Sequence, residues 1–464
     1  MVSPPDAPTY ASRSLWLDTV PGSLDPRPPL PGDLQCDVAI VGAGYTGLWT
    51  AYYLHRADPS LRIAIVESEI AGFGASGRNG GWCSAFFAVE PARLAAAYGR
   101  PAAIAMQRAM FDTVDEVGKV SADEGIDCHF VKGGTTHFAT KPAHVGRVRG
   151  RVAEMHALGF DVDDERWLDA AEARERIDVP GQLGASYTPH CAAIHPARLA
   201  RGLADVVERA GISLFEQTRV QAIEGKTVRT DHGTIRAEVV VRATEAWTAT
   251  LPESRRAVVP IYSLMLATEP LPAEVWDEIG WGGRETMSDG RHLIIYGQRT
   301  ADDRIAFGGR GAPYHFGSAI RSAFDQVESV FVDLRRVLGE LVPQTNDARI
   351  THAWGGPLGV PRDWHPSCGY DPAAGLAWAG GYVGDGVSTT NLAGRTLADL
   401  ITGADTAITH LPWVQHRSPD WEPEPLRWLG HRALTGLARS ADRVERRTGR
   451  PARRMAVLER VLGT

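Results

Sequence analysis

Cysteine is sparse in this chain and unpaired by pattern. The five residues, Cys36, Cys83, Cys128, Cys191 and Cys368, are odd in number and form no CxxC pair. That excludes a disulfide framework and a CxxC zinc site, and it fits reduced thiols in a cytoplasmic protein. Uninterrupted apolar runs are also missing. The longest apolar stretch, residues 38–54, is broken by Gly42, Gly44 and Gly47, so it reads as a strand and a helix and not as a membrane span. The opening residues, MVSPPDAPTYASRSLW, lack the basic start and apolar core of a signal peptide. Positive charge is not in excess: 49 Lys and Arg against 56 Asp and Glu give a formal net charge of -7, which excludes general nucleic-acid binding. Lysine itself is nearly absent, with only Lys119, Lys132, Lys141 and Lys226. No fixed-period repeat or low-complexity block occurs, and no motif sets an oligomeric state. What remains is an ordinary globular balance, 44% hydrophobic and 23% charged. Its 464 residues are enough for two or three domains or one interleaved pair.

The clearest positive signal is CDVAIVGAGYTGLWTAYYLHR, at residues 36–56. A short apolar run bounded by glycine reads as a buried parallel strand. It leads into Gly42-x-Gly44-x-x-Gly47. The first glycine permits a tight turn, the second lets a pyrophosphate approach, and the third lets the helix pack on the sheet. Tyr45 and Thr46 open that helix, whose N-terminus favours phosphate. A second strand, LRIAIVES, ends at Glu67, 20 residues after Gly47, followed by Ser68. An acid there accepts hydrogen bonds from a ribose. Taken alone, this unit would suit FAD or a nicotinamide.

The segment GFGASGRNGG follows at once, with five glycines in Gly72–Gly81. Such a run is costly to order, so something must lie close to its backbone. A flavin needs it: the ring must be held beyond the pyrophosphate by main-chain N–H groups. The expected contacts are Gly74, Ala75, Ser76, Gly80, Gly81 and the following Trp82. Arg78 would add charge near the ring or the phosphate, and Asn79 would orient the loop.

These blocks, together with IHPARLARGLAD, VVVRATEAWT and GLAWAGGYVGDGVSTTNLAGRTLADLI, resemble the D-amino-acid oxidase-like FAD-dependent oxidoreductases, which include glycine and sarcosine oxidases. GASGRNGG and RHLIIYGQRTADDRIAFGGRG look most like the gamma-glutamylputrescine oxidases among them. The resemblance implies an α/β fold, α+β overall. A Rossmann-like FAD-binding domain (34–95, 190–250 and 350–405) is interleaved with an antiparallel-sheet substrate domain (96–189 and 251–349). A helical C-terminal extension (406–464) follows, with Leu426, Leu429, Leu434 and Leu437 packing on the body or on a second subunit. A strand ending near Val220 would bring that residue's backbone to the adenine. Ala243, Thr244 and Trp247, at the end of another strand, would border the cofactor.

The segment Gly380–Asn391 precedes an apolar helix whose N-terminus would face the flavin edge and stabilise negative charge there. Gly381, Gly384, Gly386, Val387, Ser388 and Thr389 are the expected contacts, Ser388 and Thr389 also as caps. Asp385 stands where relatives often carry histidine, and would either meet substrate or bind a backbone N–H. The implied reaction is oxidation of the C–N bond of an amine or amino acid. Hydride passes to flavin, and the imine hydrolyses to a carbonyl product. Aromatic rings can hold the incoming ammonium. Tyr296 and Trp82 are the leading candidates, with Gln298 beside Tyr296 and His292 on the same face of a strand, and Arg299 on the other. Tyr296, Arg78 and Asp385 are the candidate catalytic set. Arg284, Arg291 and Arg310 are available for a substrate carboxylate. His137 and His195 read as structural. The first flavin loop has no histidine and Cys368 does not align as an attachment site, so FAD is expected to be non-covalent, with Cys83, close to the loop, as the residue that would carry a covalent bond. Sarcosine oxidase-like relatives use a lysine to promote reaction with oxygen. None follows Lys226 here, so Arg299, a histidine or Arg78 would substitute, or electrons would pass to another acceptor than O2. The alternative is a flavin monooxygenase using NAD(P)H, and a non-catalytic flavoprotein has no use for the long substrate-domain insertions.

Overall fold

The second half of strand Leu34–Val41, residues 38–41, is buried on both of its faces, which is why that half is apolar without alternation. Val38 and Ile40 point into one core with Leu48, Leu199 and Leu392. Ala39 and Val41 point into another with Val66, Val228 and Val240. The structure, a computed structural model, describes residues 9–311 and 314–452, with Arg310 described by its backbone alone.

Two large sheets organise the chain. In the first, strands run in the order Ser367–Asp371, Leu376–Gly380, Thr234–Arg242, Leu34–Val41, Ile63–Val66 and Ser213–Phe215. Its central pairs are parallel. Helices Tyr45–Ala57, Pro196–Arg209 and Gly386–Thr402 pack against it, as a parallel sheet requires. The second sheet runs in the order Ile350–Val360, Val259–Thr268, Ile305–Arg310, Ile295–Arg299, Thr286–Asp289, Thr135–Phe138, Ala185–Thr188 and Arg166–Leu168. It is antiparallel except where Thr286–Asp289 meets Thr135–Phe138. Helix Glu328–Leu341 covers one face of it. The mixed α/β architecture expected from the sequence is present, and a hairpin turns at Asp302 and Asp303.

Several boundaries differ from the sequence reading. Strand Ile350–Val360 belongs to the second sheet, because it pairs along its length with Val259–Thr268. Helix Arg100–Asp123 packs into the first core through Met106, Met110, Val114 and Val117. The strand expected to end near Val220 ends at Phe215, and Val220 starts the next one.

The C-terminal helix spans Leu426–Thr448, and residues 453–464 lie outside the described residues, as do 1–8. Leu426 and Leu429 do not pack on the body; they are exposed. Polar contacts dock the helix instead. Asp442 accepts from the N–H groups of His292 (2.8 Å) and Leu293 (3.0 Å). Glu445 pairs with Arg147 at 2.7 Å and with His292 Nε2 at 3.0 Å. His292 therefore faces the C-terminal helix and is not on the strand that carries Tyr296. Among the described residues, no helix is long and apolar enough to cross a membrane.

Candidate functional site

The glycine turn is locked by contact. Gly42 has φ +106°, and a Cβ there would lie 2.5 Å from the Ala243 carbonyl oxygen. A Cβ on Gly47 would lie 2.0 Å from the Gly42 carbonyl oxygen, so this glycine serves packing and does not line the groove. Glu67 closes the turn from the neighbouring strand. Its carboxylate accepts from Ala43 N (2.9 Å) and Glu69 N (3.1 Å), while burial pushes its pKa up.

A groove of about 390 Å³ runs from this turn along the end of the first sheet. Gly42, Gly44, Tyr45 and Thr46 form one of its walls, beside Glu67 and Ser68. Val220, Ala243, Thr244 and Trp247 lie along it. Gly74, Ala75, Ser76 and Asn79 form a third wall, and Gly384, Gly386 and Val387 a fourth. Ser76 does more than line the groove: its Oγ accepts from Tyr45 N at 2.9 Å, tying the glycine loop to the helix N-terminus.

The loop is braced from behind. Asn79 donates to the carbonyls of Ala75 and Ser76 (both 3.1 Å) and accepts from Gly81 N at 2.7 Å. Trp16 Nε1 donates to Asn79 O (2.7 Å), and Trp354 Nε1 to Arg78 O (2.9 Å). Gln298 is fully buried outside the cavity walls, and its amide donates to Gly80 O (2.8 Å) and Ile194 O (3.1 Å). It holds the loop rather than offering that amide to a ligand. Arg78 is buried and paired with Asp325 at 3.0 Å. Burial lowers the guanidinium pKa, and Asp325 opposes that shift.

A second cavity of about 800 Å³ adjoins the groove. The two share Ala75, Asn79, Leu358, Gly384 and Val387 as walls. Trp82, Tyr296, Arg78, Gly80 and Asp385 all face the larger cavity. Trp82 and Tyr296 meet edge to face at 6.2 Å, and the Tyr296 hydroxyl bonds Ser263 Oγ at 2.7 Å. Among the described residues, Trp82 Nε1 is buried without a partner. Asp385 is the N-cap residue of helix Gly386–Thr402 but makes no side-chain cap bond. Ser388 and Thr389 do not cap the helix either: they donate to the carbonyls of Ser84 and Asp385. Gly381 stands back from both cavities, its N–H bonded to Glu245.

Of the arginines offered for a carboxylate, Arg291 lines the larger cavity but is bound by Asp289 at 2.6 Å. Arg284 donates to the carbonyls of His129 and Arg299. The Arg310 side chain lies outside the described residues. Arg299 pairs with Asp303 and stacks on Trp276. His195 caps helix Pro196–Arg209, accepting from Arg198 N at 3.2 Å. His137, read as structural from the sequence, lines the larger cavity.

Sequence reasoning missed Glu245 and Tyr382. Glu245 lines the groove and accepts from Gly359 N (3.0 Å) and Gly381 N (2.9 Å). Burial pushes its pKa up to about 7. Tyr382 bonds Thr46 Oγ1 at 2.9 Å and lines the same groove. Both lie inside motifs already singled out, VVVRATEAWT and GGYVGDG, but no spacing rule marks either residue.

The groove fits FAD on its own geometry. A helix N-terminus meets it at Gly44 and Tyr45, a carboxylate follows at Glu67, and a glycine loop continues toward the second cavity. A Cβ on Gly74 would approach Trp247 to 3.3 Å, so a side chain there would press on the indole by a few tenths of an ångström. Comparison with known proteins agrees. Residues 37–400 match the family described as DAO, FAD dependent oxidoreductase. The chain belongs to this family of FAD-dependent oxidoreductases. It is 30% identical over 428 residues to a probable oxidoreductase OrdL of Rhizobium meliloti (strain 1021), covering 87% of this chain and 91% of the relative. It is 28% identical over 375 residues to the gamma-glutamylputrescine oxidoreductase of Escherichia coli (strain K12), covering 80% and 84%. The crystal structure of glycine oxidase from Geobacillus kaustophilus superposes with a TM-score of 0.69 at 25% identity, covering 83% of this chain and all of that one.

Proposed function

We propose that this chain oxidises the carbon–nitrogen bond of a small amine or amino acid. FAD, when bound, supplies the two-electron acceptor for hydride leaving the substrate carbon. Loss of that hydride and of the nitrogen proton leaves an imine, which water converts to a carbonyl compound and a free amine. The observation that carries this reading is the junction of the two cavities, where the flavin-loop wall opens onto Trp82 and Tyr296. Two aromatic rings at that corner suit a cation, and a held substrate would present its C–H bond in a fixed orientation. The relatives named for glycine and for gamma-glutamylputrescine support the same substrate class.

We read the first sheet as the core of a cofactor domain and the second as the core of a substrate domain. FAD is taken to be held without a covalent bond. Cys83 and Cys368 are fully buried, and burial raises both thiols far above their ordinary range, so neither is a ready thiolate. All five cysteines are buried and unpaired, which suits a reducing, cytoplasmic setting.

The test is anaerobic absorbance of the yellow protein against primary amines, secondary amines and amino acids. Loss of the oxidised flavin band with one class supports the proposal, and readmitted air then distinguishes O2 from another acceptor. Bleaching by NAD(P)H alone would replace the reading with a monooxygenase.

A further inference from the structure

Helix Leu426–Thr448 divides its surface into three faces. The first turns inward: Asp442 accepts from the N–H groups of His292 and Leu293, Glu445 pairs with Arg147, and Ala441 is buried. The second carries Leu426, Leu429, Ala433, Leu437 and Val444. Their steps of three, four, four and seven residues keep them in one row along a helix. Leu426 and Leu429 are 59% and 52% exposed, Ala433 is exposed, and Leu437 and Val444 are half-buried. The third carries Arg432, Arg439, Arg443 and Arg446, at steps of seven, four and three, all exposed.

Charge is sorted along with position. The only acids of this helix, Asp442 and Glu445, are both spent on the inward face. Arg427 pairs with Glu424 at 2.9 Å. Among the described residues, no ion pair forms at Arg432, Arg439, Arg443, Arg446 or Arg447. Arg439 donates to the Gly311 carbonyl, and Arg432 lies over the Trp428 ring at 4.6 Å. The whole chain has a formal net charge of -7, so this basic face belongs to an acidic body. Near the start of the helix, Phe316 is exposed and meets Trp428 edge to face at 6.3 Å, which extends the apolar surface.

We propose that the outer side of helix Leu426–Thr448 docks on an anionic phospholipid surface, with the leucine row entering the headgroup boundary and the arginine row meeting lipid phosphates. A helix with leucine and aromatic residues beside arginines lies in that boundary, and each arginine adds attraction to negative headgroups. A nucleic acid would answer the arginines but leave the leucines in water. A second copy would cover the leucines but not the arginines. A two-fold contact sets one face against itself, and this one offers no carboxylate to the facing guanidiniums. A lipid surface answers both rows. The inference does not depend on the amine reading. It sets the lipid beside the larger cavity, because the helix holds Arg147 and Leu293, and Arg147 and Ile294 line that cavity.

The test is co-sedimentation of the holoenzyme with vesicles of phosphatidylcholine, alone or with about a quarter phosphatidylglycerol, at about 0.1 M salt. Partitioning to the mixed vesicles should be at least about tenfold stronger, and about 0.5 M salt should release most of the protein. Leu426→Ser with Leu429→Ser, and separately Arg443→Gln with Arg446→Gln, should each weaken it about tenfold. All four residues are exposed, so flavin content and melting temperature should match those of the parent protein. No partitioning by the parent protein, or partitioning that both variants keep, would overturn the proposal. Loss with the arginine pair alone would replace the lipid surface by a polyanion. A two-chain mass in sedimentation that the leucine pair reduces to one chain, without partitioning, would assign the face to a second copy.

Discussion

Trp82 and Tyr296 meet with ring centroids 6.2 Å apart and planes at 75°, although they come from different sheets. The Tyr296 ring has little freedom. A Cβ on Gly80 would lie 2.7 Å from it and one on Gly308 2.5 Å, and its hydroxyl is fixed to Ser263. The corner is therefore preorganised before any ligand arrives.

Tyr296→Ala should lower kcat/KM for an amine substrate about tenfold, the size of one lost ring contact with a cation. Tyr296→Phe keeps the ring and should cost about threefold or less. Steady-state kinetics on both variants checks this. Equal losses would mean that the hydroxyl, not the ring, carries the effect.

Gly42→Ala should yield protein with little bound flavin. The new methyl would meet the Ala243 carbonyl at 2.5 Å in a backbone of φ +106°, so the turn must open. The ratio of visible to ultraviolet absorbance after purification measures it. A variant that keeps a full complement of flavin would sink the argument.

Asp325→Asn should destabilise the protein by about 3 kcal/mol, because it leaves the buried Arg78 charge without its counter-ion. Arg78→Met with Asp325→Leu should recover most of that loss. Denaturant unfolding of the single and double variants separates the pair from the rest of the loop.

Glu245 makes a pH prediction. Its carboxyl is raised from 4.5 to about 7 by burial, against the lowering effect of Gly381 N and Gly359 N. Between those values the folded protein holds a proton that the unfolded chain has released, so stability falls as pH rises through that window and levels off above it. Glu245→Gln should remove this contribution. Its melting temperature relative to the parent should therefore rise between about pH 5 and about pH 8. A constant difference would show that Glu245 does not titrate there.

Much of the groove beside the glycine turn was legible in the sequence because it is built from local backbone requirements. Gly42, Gly44, Gly47 and Glu67 sit at spacings set by one strand, one turn and one helix. The larger cavity was less legible. Gln298 and His137 both sit on short strands and could each have faced either way. The register turned Gln298 into the loop and His137 into the cavity. His292 looked like a strand residue but is held by Glu445, 153 residues away in the chain. The boundary error at Ile350–Val360 has the same origin, since only pairing with Val259–Thr268 assigns that strand to a sheet.

The sequence by itself determined the dinucleotide turn, the glycine-rich loop and the mixed α/β class, because each follows from steric limits on neighbouring residues. The tertiary structure alone decided which charges cancel and which polar groups remain idle. Asp325 meets Arg78 and Glu445 meets Arg147 across hundreds of residues. No local pattern encodes such pairings, because they depend on how the two sheets are laid against each other.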